Sequence, residues 1–381
     1  HSQNLRSSEA TTYHIMTSNA SGPSVLILGG TGFIGRNLVK SLVDKKLCSR
    51  IYVADKKMPA IAHMHKSHRA AFDNKDLVKF ITADLSKDPH VKKSFKEKVD
   101  YVINLCGETR AAMSANDYKE RAVVVADKCG KAAAEMKVKK WIEVSTAHVY
   151  KESKKTAVDE KGALDPWTNV AVHRLTAEKV LSETKGLNLV ILRPAIVYGP
   201  GDKMGLTPRI ACAPYYKKSK ETMKFLWDAS LKMNTVHVDD VVSAIWLSVT
   251  TIQPGKIYNL ADKGNSDQGL VNGLIGKIFG IKTDFHGWLK SKAAAMMLDT
   301  VTETANEQHV PAFTTLCTEQ KIFNTPISPY IDKELLKHKG LCIDGSAIEK
   351  EGFKYSNPKL TKELMKAQID FMLDQGIFPS F

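Results

Sequence analysis

Three glycines and one aspartate are the residues whose spacing most directly suggests chemistry. Gly29, Gly32 and Gly35 follow the apolar run at 25–28, and Asp55 lies 20 residues after Gly35. The first glycine permits a tight turn, the second lets the backbone approach a pyrophosphate, and the third lets a helix pack closely on a strand. A helix start stabilises phosphate through its free N–H groups. The pattern therefore predicts a dinucleotide-binding loop, with Asp55 on the adenosine ribose.

The charge at the end of the second strand bears on which dinucleotide is bound. Asp55 favours NAD(H), because a carboxylate repels a 2′-phosphate. Arg36, Lys56 and Lys57 can partly offset that repulsion, so NADP(H) is not excluded. The loop residues expected to contact the cofactor are Gly29, Thr31, Gly32, Phe33, Ile34 and Gly35.

The elements that must position this loop alternate regularly along the chain. Strands are predicted at 25–28, 51–55, 77–85, 99–107, 139–146 and 187–202, with helical patterns between them, for example at 123–136. Such alternation predicts an α/β fold, a Rossmann-type doubly wound parallel sheet with helices on both faces. Ligands of such sheets bind beyond the carboxyl ends of the strands.

The division of the chain follows from the same pattern. We expect a flexible leader over 1–22 and a dinucleotide-binding domain over 23–202, to which 236–262 partly returns. A smaller C-terminal α/β substrate lobe with a helical extension is expected over 203–381. Within it, 203–235 combines lysines with Tyr215, Tyr216 and Trp227, which suits either a cap over the substrate or a solvated helix.

Composition excludes several classes of protein. The chain is 43% hydrophobic and 25% charged, and no apolar run approaches the roughly 18 residues needed to span a membrane. Six scattered cysteines without a CxxC pair argue against a metal site and for reduced thiols, and hence for a cytoplasmic protein. The net charge of +14 is spread along the chain without a nucleic-acid-binding motif, so a small-molecule substrate is favoured over nucleic acid.

Five motifs in sequence resemble one enzyme family. "GGTGFIG", "ADL", "STAHVY", "LRPAIVYGPGD" and "VHVDDVV" occur in the order and spacing of the extended short-chain dehydrogenase/reductases of the NAD-dependent epimerase/dehydratase type, over residues 24 to 285. The resemblance implies that Asp239 and Asp240 tie the two lobes together. It also implies that Asp84 and Leu85 lie at the adenine and that Cys106 and Gly107 line the dinucleotide groove. In the same family Thr146 would lie near the reacting carbon. The segment from Arg193 to Gly199, including Pro194, would lie on the nicotinamide and substrate side.

The catalytic pair of that family is absent here. Its tyrosine and lysine lie four residues apart on one helix, and the registration of Pro166 and Glu178 places Val170 and Arg174 at those positions. Valine has no proton to transfer. Arginine keeps the positive charge and can position the ribose, but its pKa is too high for it to serve as a proton donor.

Other groups offer a replacement for the lost tyrosine. His148, two residues after Thr146, lies where dehydratases of this family carry acidic residues, and a histidine there can act as a general acid near neutral pH. His173 lies close to the same helical face as Val170 and is the weaker candidate.

The sequence leaves two functions open. One is an NAD(P)-binding oxidoreductase or epimerase with an altered proton-transfer group. The other is a catalytically silent dinucleotide-binding sensor or a subunit of a larger assembly. For the enzyme, the expected substrate is either a sugar nucleotide or a hydrophobic alcohol or ketone. The second alternative arises because the segment "EKEGFKYSNPKLTKELMKAQIDFML" resembles the ending of sterol- and flavonoid-type dehydrogenases. A homodimer is also possible.

Overall fold

The computed structural model describes residues 22–110 and 112–381. The predicted leader over 1–22 lies outside the described residues, apart from Gly22. The main sheet has seven parallel strands in the order β10-β6-β5-β4-β1-β2-β3. The strands of this sheet and of two further short pairs are Ser24–Leu28 (β1), Arg50–Asp55 (β2), Val78–Thr82 (β3), Tyr101–Asn104 (β4), Lys140–Val144 (β5), Leu189–Pro194 (β6), Ile196–Tyr198 (β7), Met223–Phe225 (β8), Thr235–His237 (β9), Ile257–Leu260 (β10) and Thr283–Phe285 (β11).

Helices connect these strands and cover both faces of the sheet. Their bounds are Phe33–Asp44 (α1), Lys66–Asp73 (α2), Asp88–Ser94 (α3), Ala115–Tyr118 (α4), Val125–Glu135 (α5), Asn169–Glu183 (α6), Thr207–Ser219 (α7), Val238–Thr250 (α8), Gln268–Phe279 (α9), Gly287–Met296 (α10), Leu298–Glu319 (α11), Lys333–Leu336 (α12) and Lys362–Asp374 (α13). A π-helical turn at Lys119–Val124 joins α4 to α5.

Two apolar layers hold the helices on the sheet. On one face, α1, α2 and α8 bury residues such as Leu38 and Ile245 against the sheet. On the other face, α3, α5 and α6 bury residues such as Ala126 and Leu181. Helices on both faces of a parallel sheet require strands that are apolar on both sides, and β1 and β6 have that composition. The predicted fold class is confirmed.

The C-terminal lobe has its own core. Helices α7, α9, α11 and α13 contribute residues such as Ile210, Ile275 and Met365 to one apolar cluster. Two short parallel pairs, β7 with β9 and β8 with β11, border this lobe. Asp240 on α8 accepts hydrogen bonds from the backbone N–H groups of Ser356 and Asn357, so it ties the C-terminal segment to the sheet.

One predicted strand differs from the observed ones. The single strand expected over 187–202 is divided into β6 and β7, which belong to different sheets. Pro194 has no N–H group to continue the ladder, and after it the chain pairs with β9.

The aromatic residues of the 203–235 segment are packed inside the lobe. Tyr216 is buried, and its hydroxyl lies 2.9 Å from His309 Nε2. Trp227 is also buried and donates its indole N–H to Leu336 O at 2.8 Å. These two side chains are therefore part of the protein core.

Candidate functional site

The glycine-rich loop at the end of β1 has the predicted geometry. Gly29 adopts a φ of 76°, a conformation that favours glycine, and its N–H donates to Ala54 O at 2.8 Å. A Cβ at Gly35 would lie 2.5 Å from Gly30 Cα, so this glycine lets α1 approach the loop. A Cβ at Gly32 would meet only Gly29 O, at 3.2 Å. The protein therefore leaves space above Gly32.

Asp55 is joined to this loop. Its Oδ2 accepts the backbone N–H of Thr31 at 3.0 Å, and its Oδ1 accepts that of Lys57 at 3.0 Å. The side chain remains partly exposed at the end of β2. Asp55 thus links the glycine loop to the neighbouring strand and keeps oxygen surface accessible where a ribose would lie.

Arg36 holds the glycine loop in place. Its guanidinium is buried and donates to four backbone carbonyl groups, at Thr31, Gly32, Ala62 and His63. Arg36 therefore supports the loop from beneath, and what it offers a phosphate is its charge.

Lys203 brings a positive charge that the sequence interpretation missed. It lies in the loop after β7, where Asn37 Nδ2 on α1 donates to Pro200 O at 3.0 Å. Burial, together with the charges of Arg36 and Lys57, lowers the pKa of Lys203 to about 7. A desolvated lysine beside two other cations favours binding of an anion, because an anion relieves that repulsion.

These features fit a dinucleotide. The N-cap of α1 is Gly32, whose missing side chain provides no capping hydrogen bond to the first turn. Open space above Gly32, an uncapped helix N-terminus, and the charge of Lys203 all suit a diphosphate. Asp55 suits the ribose that follows it.

Arg174 lies at the wall of the same groove. Its Nη1 donates to Cys106 O, and a Cβ at Gly107 would lie 2.4 Å from Arg174 Nη2. The guanidinium therefore packs flat over Gly107, at the carboxyl end of β4. Because Gly107 has no side chain, it leaves room for this guanidinium.

Glu143 on β5 is a buried partner of Arg174. Arg174 Nη1 lies 3.5 Å from Glu143 Oε1, while Asn104 Nδ2 and Trp141 Nε1 donate to Oε2. Burial raises the pKa of Glu143 to about 7, against the opposing effect of Arg174. The ion pair of Arg174 with Glu143 was not predicted. A glutamate within the apolar strand "KKWIEVST" was the sequence feature that indicated a buried carboxylate.

Thr146 and His148 form a pair just after β5. Thr146 Oγ1 lies 3.1 Å from His148 Nδ1 and also accepts the His148 backbone N–H at 3.3 Å. The imidazole packs against Trp167, with 5.1 Å between ring centroids. His148 is partly buried, and desolvation lowers its pKa to about 4. At neutral pH the ring is therefore mainly neutral, which suits a proton acceptor better than the general acid expected from the sequence.

A buried chain of hydrogen bonds holds that segment in place. Arg193 on β6 donates to both carboxylate oxygens of Glu178 on α6, at 3.2 and 2.5 Å. Arg193 also donates to the Tyr150 hydroxyl at 2.8 Å, and Tyr150 donates to Asn259 Oδ1 at 2.8 Å. The chain thus connects α6, β6 and β10 with the residues that follow His148.

The remaining predicted residues lie at several places. His173 stacks on Tyr118, and its Nδ1 lies 2.8 Å from Asn169 O, so its ring is held by the helix start. Leu85 and Pro194 are buried. Asp84 is partly exposed near the end of β3, and its Oδ1 accepts from the Ser86 hydroxyl at 2.8 Å.

Metal binding and membrane insertion each require a recognisable structural feature. Across residues 22–110 and 112–381, no three His, Cys, Asp or Glu side chains lie together as a metal site requires. None of the helices in that part of the chain is both long and apolar enough to cross a membrane.

Comparison with known proteins agrees with this geometry. The profile of the NAD dependent epimerase/dehydratase family matches residues 25–261. The chain is 29% identical over 245 residues to a dTDP-D-glucose 4,6-dehydratase of Mus musculus, which covers 62% of this chain and 67% of that protein. It is 22% identical over 250 residues to the low-salt glycan biosynthesis protein Agl12 of Haloferax volcanii, covering 62% of this chain and 76% of that protein.

Solved structures share the fold. A UDP-glucuronic acid 4-epimerase from Bacillus cereus, in complex with UDP-glucuronic acid and NAD, superposes with a TM-score of 0.68 at 17% identity and covers 92% of this chain and 99% of its own. A UDP-glucose 4-epimerase from Thermus thermophilus, in complex with NAD, gives a TM-score of 0.65 at 18% identity, with 92% and 99% coverage. The chain belongs to the NAD-dependent epimerase/dehydratase family.

Proposed function

We propose that this protein is an NAD-dependent oxidoreductase or epimerase of a sugar nucleotide in which Thr146 and His148 move the substrate proton. The observation that carries the proposal is the 3.1 Å contact between Thr146 Oγ1 and His148 Nδ1, just beyond the carboxyl end of β5. Parallel sheets bind their ligands at that edge. The family's tyrosine position, Val170, offers no proton.

Bound NAD supplies a hydride acceptor, and the chain must remove the hydroxyl proton of the substrate. The neutral imidazole of His148 accepts a hydrogen bond from the Thr146 hydroxyl through Nδ1. Thr146 Oγ1 then has a lone pair left for the substrate hydroxyl, since its other lone pair accepts the His148 backbone N–H. The proton moves from the substrate oxygen to Oγ1 as the Thr146 proton moves to Nδ1.

Arg174 contributes by position and charge. Its Nη1 is engaged by Cys106 O and lies near Glu143, whereas Nη2 lies over Gly107 at the groove. We assign Nη2 to a hydroxyl of the nicotinamide ribose. Arginine remains protonated at neutral pH, so this contact does not supply a proton.

A sugar nucleotide is favoured by the relatives. The mammalian proteins that match the chain are named dTDP-D-glucose 4,6-dehydratases, and solved structures of the same fold carry UDP-glucuronic acid or UDP-glucose. Burial and neighbouring cations lower the pKa of Lys203 to about 7, and a phosphate beside it would favour its protonated form.

The test is turnover of dTDP- and UDP-sugars by the NAD-loaded protein. His148→Gln should lower kcat about 10²- to 10⁴-fold, the usual contribution of a general base, without changing NAD affinity. The matched control is His173→Gln, which should leave kcat unchanged.

A gain-of-function variant complements the loss of activity expected for His148→Gln. Val170→Tyr combined with Arg174→Lys restores the family's pair and should raise kcat above that of the wild type. Unchanged kcat in His148→Gln would contradict the assigned role of the pair. Absence of turnover in both the wild type and the restored variant, with NAD bound, would instead indicate a binding protein without catalysis.

A further inference from the structure

A buried carboxylate below the dinucleotide groove has one oxygen without a hydrogen bond. Glu143 on β5 is 1% exposed, and its Oε2 accepts from Asn104 Nδ2 at 2.7 Å and from Trp141 Nε1 at 3.1 Å. Its Oε1 has no hydrogen-bond partner among the described residues and lies 3.5 Å from Arg174 Nη1. Burying a carboxylate with an unpaired oxygen costs free energy, so stability alone does not explain this residue.

Glu143 contacts the two side chains that hold the backbone of Cys106. Asn104 lies opposite Glu143 in the β4–β5 register, and its Oδ1 accepts the Cys106 N–H at 3.0 Å. Arg174 Nη1 donates to Cys106 O. The N–H and the C=O of Cys106 are thus held by two side chains that share Glu143 as a neighbour.

The Cys106 backbone and the Arg174 guanidinium form one wall of the groove. A Cβ at Gly29 would lie 3.0 Å from Cys106 N, so the end of β4 packs directly against the glycine loop. A Cβ at Gly107 would lie 2.5 Å from Arg174 Cζ, so the guanidinium covers the next residue of the chain. A shift of Arg174 would therefore change the space in which a dinucleotide lies.

Arg174 is the cation that compensates Glu143. Near the carboxylate are Arg174 and Glu178 on α6, the Cys129 thiol on α5 and the Cys106 thiol after β4. Burial raises the pKa of Glu143 to about 7, and Arg174 has the largest opposing effect. The charged carboxylate and the guanidinium depend on each other, because removal of one leaves the other as an uncompensated buried charge.

The partners of Arg174 determine which part of its guanidinium faces the groove. Cys106 O and Glu143 Oε1 both lie at Nη1, which leaves Nη2 over Gly107. A planar guanidinium that is held at one end has a fixed orientation, whereas the ammonium group of a lysine is a point charge. An arginine at this position therefore gains more from a buried carboxylate than a lysine would.

We propose that Glu143 is a positioning residue for the cofactor, which holds the Arg174 guanidinium in the orientation that binds the nicotinamide ribose. Glu143 does not touch the cofactor itself. This inference rests on one part of the proposed function, the assignment of Arg174 Nη2 to that ribose, and it adds the residue that orients the arginine.

Glu143→Gln tests this role with little change in side-chain size. A glutamine amide has one oxygen, so its NH2 group faces either the Arg174 cation or the N–H groups of Asn104 and Trp141. In both cases Arg174 loses its counter-ion. Glu135→Gln, at the exposed end of α5 that leads to the amino end of β5, is the matched control for the loss of one negative charge.

The experiment is fluorescence titration of the full chain with NADH across pH, with thermal unfolding as the check that each variant is folded. At about pH 8.5, Glu143→Gln should weaken NADH binding about 10-fold, the equivalent of one charged hydrogen bond, and Glu135→Gln should leave it unchanged. The difference between the wild type and Glu143→Gln should shrink as the pH falls to about 6, because Glu143 of the wild type then becomes protonated. In an Arg174→Gln background, Glu143→Gln should change NADH affinity by at most about 2-fold, because the two residues act through one contact.

Equal NADH affinity of the wild type and Glu143→Gln at alkaline pH would overturn the inference. A loss of affinity that is the same at every pH, or that is undiminished in the Arg174→Gln background, would also overturn it, since a purely structural residue gives that result. Failure of the proposed function has a different signature. NADH binding would then still depend on Glu143 and Arg174, while no sugar nucleotide would be turned over.

Discussion

Substitution of Gly32 by aspartate tests the phosphate site by charge alone. Gly32 is the N-cap of α1 with φ −68° and ψ −179°, a backbone conformation open to any residue, and its added Cβ would meet only Gly29 O at 3.2 Å. Aspartate is also a favoured N-cap residue, so the folded protein should lose no stability. The introduced carboxylate would point toward the space assigned to the diphosphate.

The magnitude follows from the distance available. A carboxylate about 5 Å from one phosphate charge is repelled by about 3 kcal/mol at an effective dielectric constant of about 20. This repulsion weakens binding by a factor on the order of 100. Gly32→Asn has almost the same size and capping ability without the charge, and it should account for any effect of bulk.

The assay is fluorescence titration with NADH at low and at high salt. The affinity difference between the aspartate and asparagine variants should shrink as salt screens the partly exposed loop. If the two variants bind NADH equally at low salt, the charge argument is refuted. If both bind as tightly as the wild type, the diphosphate does not lie above Gly32.

Four further outcomes follow from the structure. Gly35→Ala should cost about 1–3 kcal/mol in the free energy of unfolding, because its Cβ would collide with backbone atoms of Gly30. Gly273→Ala, with open space in α9, should gain about 0.5–1 kcal/mol in the same denaturant titration. Burial raises the pKa of Glu143 from 4.5 to about 7, so the folded state binds more protons and the wild type should lose stability as pH rises across that range. Glu143→Gln should abolish that decline in thermal unfolding measured against pH, and an identical decline in the variant would contradict it. Because the pKa of His148 is lowered to about 4, kcat should fall on acidification toward that value and stay level through neutral pH, and an acidic limb centred near its ordinary pKa would argue against the assigned base.

The cofactor-binding half of the molecule was predictable from short stretches of sequence. Gly29 is needed for a turn, Gly35 for the close approach of α1 to the loop, and Asp55 for a hydrogen bond to the loop. All of these contacts lie within one strand–helix–strand unit, so the local sequence was enough to predict them. The alternation of strands and helices was sufficient to predict the parallel sheet, since buried strands of this class are apolar on both faces. The division of 187–202 into two strands was missed because its apolar run continues through Pro194.

Contacts between distant segments could not be deduced in the same way. The contacts of Arg36 with four carbonyl groups from two separate segments were not predicted. The pairing of Arg209 with α9 joins residues about sixty positions apart, and nothing in either segment alone indicates it. Burial lowers the pKa of His148 to about 4, and the residue type alone gives no indication of that burial.

The measurement that tests the central claim most directly is the absorbance of reduced nicotinamide after NAD-loaded protein is mixed with dTDP- and UDP-sugars in a stopped-flow instrument. The account predicts a transient rise in the wild type that is slowed at least about 100-fold in His148→Gln, with unchanged NAD occupancy. No rise with any of these sugars, in protein shown by calorimetry to hold NAD, would contradict the assignment of this fold to sugar-nucleotide oxidation.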